Sequence, residues 1–275
     1  MSAEEIFNGI ELRSRQMFTP WGAGRLVWRI WGSGAPLVLI HGGAGAWSHW
    51  IHTIPVFEAA RMVIAPDLPG LGESDDPPKP YTPESIAQII ADGLPHVLPP
   101  ATQFDMAGFS FGGMVSGIVA SLCGRRVRTL SLLGPSGLGG KFGNVGPMMR
   151  LPQNATEEQI MAAHRHNLHA IMLHDPAKID ELALYIQAVN APRTRILSPE
   201  HAESEKCLNA LRHFSGRLNT IWGEYDISYP HLELRRKVIA SVHPDAEFHI
   251  IPNAGHWVQY EAAEAVNGLL RRFIA

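Results

Sequence analysis

A chain of 275 residues, 45% hydrophobic and 18% charged, suffices for one large domain or two small ones at roughly 150 residues each. Lys plus Arg number 23 against 26 Asp plus Glu, a formal charge of −3 that leaves no basic footprint for nucleic acid. The 2 cysteines, Cys123 and Cys207, cannot form a disulfide framework, and no apolar run approaches the ~20 residues of a membrane span. The start, MSAEEIFNGI, carries acids where a secretory signal would carry bases. These features lead to the expectation of a cytoplasmic globular protein acting on a small molecule, with no nucleic-acid or membrane partner; homo-oligomerisation is left open.

Residues 10–18 and 25–31, divided by Pro20, Gly22 and Gly24, predict an antiparallel hairpin. Leu37-Val38-Leu39-Ile40 is apolar without alternation, as in a strand covered on both faces. Residues 61–67, 104–107 and 127–133 predict further strands. Thr82 followed by Pro83 opens a helix toward Val97, and residues 111–123 set Met114, Ile118 and Leu122 on one buried face. Such alternation predicts an α/β fold with a mainly parallel sheet. From 136 to 215 it stops. Thr156 with Gln159 has capping-box spacing, while Asp175-Pro176 and Ser198-Pro199 each pair a capping residue with a first-turn proline. Strand 218–222, a helix near 231–241, strand 247–251 and a last helix bearing Ala262, Val266, Leu269, Leu270 and Phe273 on one face complete the chain. The expected organisation is a sheet domain of residues 1–135 and 216–275, interrupted between its sixth and seventh strands by a helical lid, 136–215.

Gly108-Phe109-Ser110-Phe111-Gly112 follows a predicted strand and opens a predicted helix. A serine on such a sharp turn is strained and exposed, and glycines two residues to either side let the turn close. The Phe111 N–H then lies at a helix N-terminus, where developing negative charge is favoured. An activated serine needs a base, and the base an orienting acid. His256 sits in a loop before the final helix; Asp226, with Glu224 as fallback, sits in a loop after the preceding strand. The order Ser110, Asp226, His256 leaves room for the lid and then for one helix–strand unit. His41-Gly42-Gly43-Ala44-Gly45 supplies a second backbone donor from Gly43 or Ala44. It lacks both a Gly-Lys-Ser/Thr ending and a Gly-x-Gly-x-x-Gly, which removes a nucleotide reading. No metal and no cofactor are expected.

HGGAG at 41–45, DLPGLGESD at 67–75, GFSFGG at 108–113, WGEYD at 222–226 and GHWVQYE at 255–261 together resemble the α/β-hydrolase superfamily across most of the chain. His256-Trp257 and the following Gln-Tyr-Glu are similar to the meta-cleavage-product C–C bond hydrolases, which split vinylogous 1,5-diketones. That resemblance implies a substrate carboxylate held by a lid arginine, Arg193 or Arg195, and a pocket lined by Trp257; Phe109 and Gly42 join them as candidate substrate-binding residues. The family usually has Asn before its nucleophile. Phe109 there is more familiar from esterase and perhydrolase-like members, so a carboxylesterase is the first alternative. A low-turnover ligand receptor is the second. Ser110 in place of an aspartate argues against dehalogenases and epoxide hydrolases.

Weaker signals have plainer readings. His164, His166, His169 and His174 read as polar lid surface, and the cysteines as ordinary helix and lid residues. Met148, Met149, Met161 and Met172 are candidates for an adaptable apolar pocket beneath the lid.

Overall fold

The computed structural model describes residues 1–144 and 146–275. Eight strands form one sheet: β1 (Arg15–Trp21), β2 (Gly24–Trp31), β3 (Ala35–Ile40), β4 (Arg61–Pro66), β5 (Phe104–Phe109), β6 (Val127–Leu133), β7 (Arg217–Gly223) and β8 (Glu247–Ile251). Their order is β1-β2-β4-β3-β5-β6-β7-β8, antiparallel from β1 to β4 and parallel from there on. The unbroken apolar run of β3 follows directly from this placement. Leu37 and Leu39 enter one core, Val38 and Ile40 the other, so neither face of the strand meets water.

Ten α-helices accompany the sheet among the described residues. They are α1 (Ala3–Glu11), α2 (Ile54–Phe57), α3 (Pro83–Val97), α4 (Phe111–Cys123), α5 (Glu157–Asn167), α6 (Glu181–Asn190), α7 (Lys206–Leu211), α8 (Leu232–Val242), α9 (Val258–Glu261) and α10 (Ala263–Phe273). The first core lies under α3, α4, α7 and α8; the second lies under α1, α2, α6 and α10. Thr82 and Thr156 cap α3 and α5 as their spacing predicts.

Several local expectations are corrected. Ile10 belongs to α1, whose Ser2–Glu5 capping box marks its start, so the hairpin begins later, at Arg15. Pro20 is tolerated within β1 because that strand is a sheet edge. Leu122, at the end of α4, is half exposed, unlike Met114 and Ile118. Asp175 caps only the short 3₁₀ turn Pro176–Lys178, and the following helix is capped by Asp180. Ser198 caps nothing; it is the first residue of the 3₁₀ turn Ser198–His201, preceded by Leu197. The insert between β6 and β7 is helical, with α5, a π-helical turn Leu168–Met172, α6 and α7.

One buried cation ties several loops to the sheet. Arg29 on β2 bonds Asp67 at 3.0 Å, Glu11 at 2.6 Å and Glu73 at 2.7 Å. Asp67 also accepts the N–H groups of Trp47 and Glu73. The group therefore fixes α1, the turn Trp47–Trp50 and the loop after β4 together. Replacement Arg29→Met leaves Asp67 buried without its counter-charge and is expected to cost about 3–5 kcal/mol, read from the shift in urea midpoint. A loss below about 1 kcal/mol would contradict this role for the pair.

Candidate active site

Ser110 ends the passage from β5 into α4 with φ 54° and ψ −120°, a left-handed conformation uncommon for a residue with a side chain. Neighbouring backbone holds it there. Its N–H donates to Leu133 O at 2.9 Å, and its carbonyl accepts from Gly113, Met114 and Ser136. A Cβ on Gly112 would stand 2.0 Å from the His41 carbonyl oxygen, and one on Gly108 would stand 2.2 Å from Ser116 Oγ. The glycine spacing in the sequence is thus a consequence of close packing between the turn, β3 and α4.

The three expected side chains meet. His256 Nδ1 lies 2.9 Å from Asp226 Oδ2, and His256 Nε2 lies 2.8 Å from Ser110 Oγ. An ionised carboxylate only accepts, so Nδ1 carries the proton and Nε2 is free to accept the Ser110 hydroxyl. Asp226 is 2% exposed and His256 4%, and the other Asp226 oxygen takes the Ser228 N–H at 3.0 Å. Glu224 is exposed and accepts from the Asn253 N–H instead, which sets the fallback acid aside.

Two positioning residues receive no role from the motifs alone: Gly134, and Glu261 at the end of the GHWVQYE stretch. Gly134, at φ +47°, follows β6, and a Cβ there would come within 2.9 Å of Asp226 Oδ2 and 3.1 Å of the His256 ring. Its sequence signal is only a glycine directly after a strand. Glu261, buried, accepts the N–H groups of Gly255 and Asp175 at 2.6 Å and of His174 at 3.1 Å, tying the histidine loop to the insert.

A cavity of about 320 Å³ opens at Ser110 and His256. Gly43, Ala44 and Phe111 border it on the sheet side. Phe111 opens α4, so its N–H has no partner within the helix. The N–H groups of Gly43 and Ala44 make no hydrogen bond to the described residues. Met148, Met172, Ile171 and Ile196 also line it, with Gln187 and Ser198 among its polar members. Among the described residues, no Lys, Arg, Asp or Glu borders this cavity.

The implied substrate-binding residues fall elsewhere. Arg193 is half exposed and pairs with Glu73 at 3.3 Å. Arg195 pairs with Asp76 and donates to the carbonyls of Ser74 and Gly72, so both arginines fasten the insert to the loop after β4. Trp257 is buried behind the cavity, its Nε1 donating to His49 O at 3.0 Å. Phe109 is buried with its ring centroid 4.9 Å from that of His256. Gly42 makes room for Phe109, since a Cβ would meet that ring at 2.8 Å. None of these five borders the cavity.

Of the methionines, Met148 and Met172 border it, Met149 is half exposed, and Met161 packs in the second core. His164 is buried rather than a surface residue, while His174 stacks on Tyr225 at 3.9 Å. Among the described residues no group of three or more His, Cys, Asp or Glu could hold a metal ion. Cys207 is buried, and burial pushes its thiol up to about 12.

A family model described as the alpha/beta hydrolase family matches residues 37–269. The chain belongs to this family. The 2-hydroxy-6-oxo-6-phenylhexa-2,4-dienoate hydrolase of Burkholderia cepacia is 30% identical over 89% of this chain and 89% of its own length. A Pseudomonas putida dihydrolipoyllysine-residue acetyltransferase component of an acetoin cleaving system is 32% identical over 88% of this chain, which spans 64% of that longer relative. The solved meta-cleavage product hydrolase CumD of Pseudomonas fluorescens shares the fold at a TM-score of 0.73 and 20% identity, covering 95% of this chain and 98% of its own. The likeness to meta-cleavage product hydrolases drawn from the motifs is borne out by these relatives. No helix of the described residues is long and apolar enough to cross a membrane.

His49 borders the cavity beside His256, and its Nδ1 accepts the Gly42 N–H at 3.3 Å. Burial, then the nearby His41 and His256, lower its pKa well below the ordinary range; burial also lowers that of His41. Unfolded histidine takes up its proton near pH 6.5, these two only at lower pH, so the unfolded state binds more protons in that interval. Stability is therefore expected to fall as pH drops below about 6.5. His49→Gln, which keeps an acceptor for Gly42, is expected to lose less urea stability than the parent between pH 7.5 and 5.5; equal losses would contradict the assignment.

Proposed function

We propose that this hydrolase-family enzyme is a cofactor-independent serine hydrolase acting on a small carbonyl substrate. The observation that carries the reading is the bonded series Ser110–His256–Asp226, opening on an apolar cavity. Ser110 Oγ attacks the carbonyl carbon while His256 Nε2 takes its proton. Asp226 holds the imidazole in its tautomer and balances the imidazolium. The carbonyl electrons move onto oxygen, which the N–H groups of Phe111 and of Gly43 or Ala44 receive. Collapse of this intermediate breaks the bond to the leaving group, and His256 returns the proton to it. Water, deprotonated by the same histidine, then releases the acyl group from Ser110.

For the bond broken, the first reading is carbon–carbon cleavage of a vinylogous 1,5-diketone. It is supported by relatives near 30% identity over most of the chain that are named as a 2-hydroxy-6-oxo-6-phenylhexa-2,4-dienoate hydrolase and a 2-hydroxymuconate semialdehyde hydrolase. In that reading a ketonisation step comes first, so that the leaving carbanion is stabilised by conjugation. A second reading, carboxylester hydrolysis, draws on a specific observation: among the described residues no cationic side chain borders the cavity to meet a dienoate carboxylate, and Arg193 and Arg195 are engaged elsewhere. The helical insert acts as the lid in both.

A phenyl-substituted hydroxy-oxo-dienoate and p-nitrophenyl butyrate separate the two. The first reading predicts a larger kcat/KM on the dienoate, and loss of about 10³-fold or more of either activity in Ser110→Ala. A dominant rate on the ester would replace carbon–carbon cleavage with ester hydrolysis, and unchanged turnover by Ser110→Ala would remove the serine mechanism altogether.

A further inference from the structure

The 3₁₀ turn Ser198–His201 belongs to the insert, yet its first residue reaches the catalytic side of the cavity. Ser198 Oγ lies 2.1 Å, and its Cβ 3.0 Å, from the point where a Cβ on Gly43 would stand; Phe111 Cβ lies 3.8 Å from that same point. The insert, the HGGAG loop and the start of α4 thus converge at one place, and a glycine at 43 is what leaves space for the hydroxyl. Ser198 borders the cavity, caps no helix, and its Oγ makes no hydrogen bond among the described residues. The hydroxyl stands against the Gly43 backbone on the side of the start of α4, and as an uncommitted donor it can meet negative charge developing on a carbonyl oxygen held there.

Its placement is fixed from several directions. The adjacent Leu197 N–H donates to Tyr81 Oη at 3.0 Å, and Ile196 is buried against Gly70. Arg195 N donates to Gly70 O at 3.0 Å while its guanidinium grips Asp76, Gly72 and Ser74. Residues 195–197 are thereby pinned to the loop after β4, and Ser198 follows.

We infer that Ser198 is a third oxyanion donor, supplied by the insert, and that Arg195 is a positioning residue acting through it. The inference rests on the serine-hydrolase reading above. A donor of this kind strengthens as charge develops, so its loss lowers kcat more than it alters KM.

The test compares parent, Ser198→Ala, Ser198→Thr, Arg195→Gln and the Ser198→Ala/Arg195→Gln double variant on p-nitrophenyl butyrate, with phenylboronic acid as a tetrahedral mimic on Ser110. Ser198→Ala is expected to lower kcat by about tenfold to a hundredfold, with KM within about twofold, and to weaken the boronate by a similar factor. Ser198→Thr, which keeps the hydroxyl, recovers most of the rate. Arg195→Gln lowers kcat in the parent but adds little to Ser198→Ala, as expected of groups acting in series. Parent-like kcat and boronate affinity in Ser198→Ala would overturn the assignment while leaving the serine mechanism intact. Failure of the parent both to turn over esters or dienoates and to label at Ser110 with a fluorophosphonate would overturn both together.

Discussion

The constraint on which the site depends is the backbone of Ser110, bent into a left-handed conformation between a strand and a helix that are both buried. Such a conformation carries about 1–3 kcal/mol of strain and persists only where the surroundings over-determine it. Here β6 supplies an acceptor for the Ser110 N–H, α4 and Ser136 supply donors for its carbonyl, and glycines at 108 and 112 admit Ser116 and His41 at distances no side chain would allow. The hydroxyl consequently emerges at the carboxyl edge of the sheet. The loops after β7 and β8 leave that same edge, which brings Asp226 and His256 to it although both are remote in sequence. Gly134 completes the arrangement by letting the pair lie directly against the end of β6.

A second layer of contacts joins the insert to this edge. Glu261 binds backbone N–H groups from both the histidine loop and the insert, and the Trp257 N–H donates to Met172 O at 2.7 Å. On the other side Arg193 and Arg195 fasten the insert to the loop that Arg29 and Asp67 hold in place. The cavity between these two seams is mostly apolar and, among the described residues, has no Lys, Arg, Asp or Glu at its border, where Gln187, Ser198 and His49 supply polar groups. Carbonyl chemistry in such a space gains from fixed donors, because little water remains to compete for the developing charge.

The sheet, α3, α4 and the meeting of Ser110, Asp226 and His256 were legible because each has a local signature: apolar runs, a capping threonine with proline, glycines around a serine. The N-terminal helix had a signature too, Ser2 with Glu5, but Ile10 was absorbed into the hairpin. What was not legible depends on tertiary partners. A resemblance supplied a residue type, arginine, but not the fact that Asp76 and Glu73 would stand ready to claim Arg195 and Arg193. Ser198 before Pro199 satisfies the local rule for a cap, yet the preceding residue is pinned by Tyr81 and the turn leaves the hydroxyl uncommitted. His49 lies in no motif; only the folded chain sets it between Gly42 and Trp257.

The account stands or falls on one bonded set of side chains making a serine nucleophilic. The most direct measurement is the second-order rate of fluorophosphonate labelling, with the modified peptide identified by mass, in the parent and in His256→Ala. The account predicts a single label on Ser110 and a rate lower by about a hundredfold or more once the base is gone. Equal labelling rates, or a label carried by another residue, would contradict it.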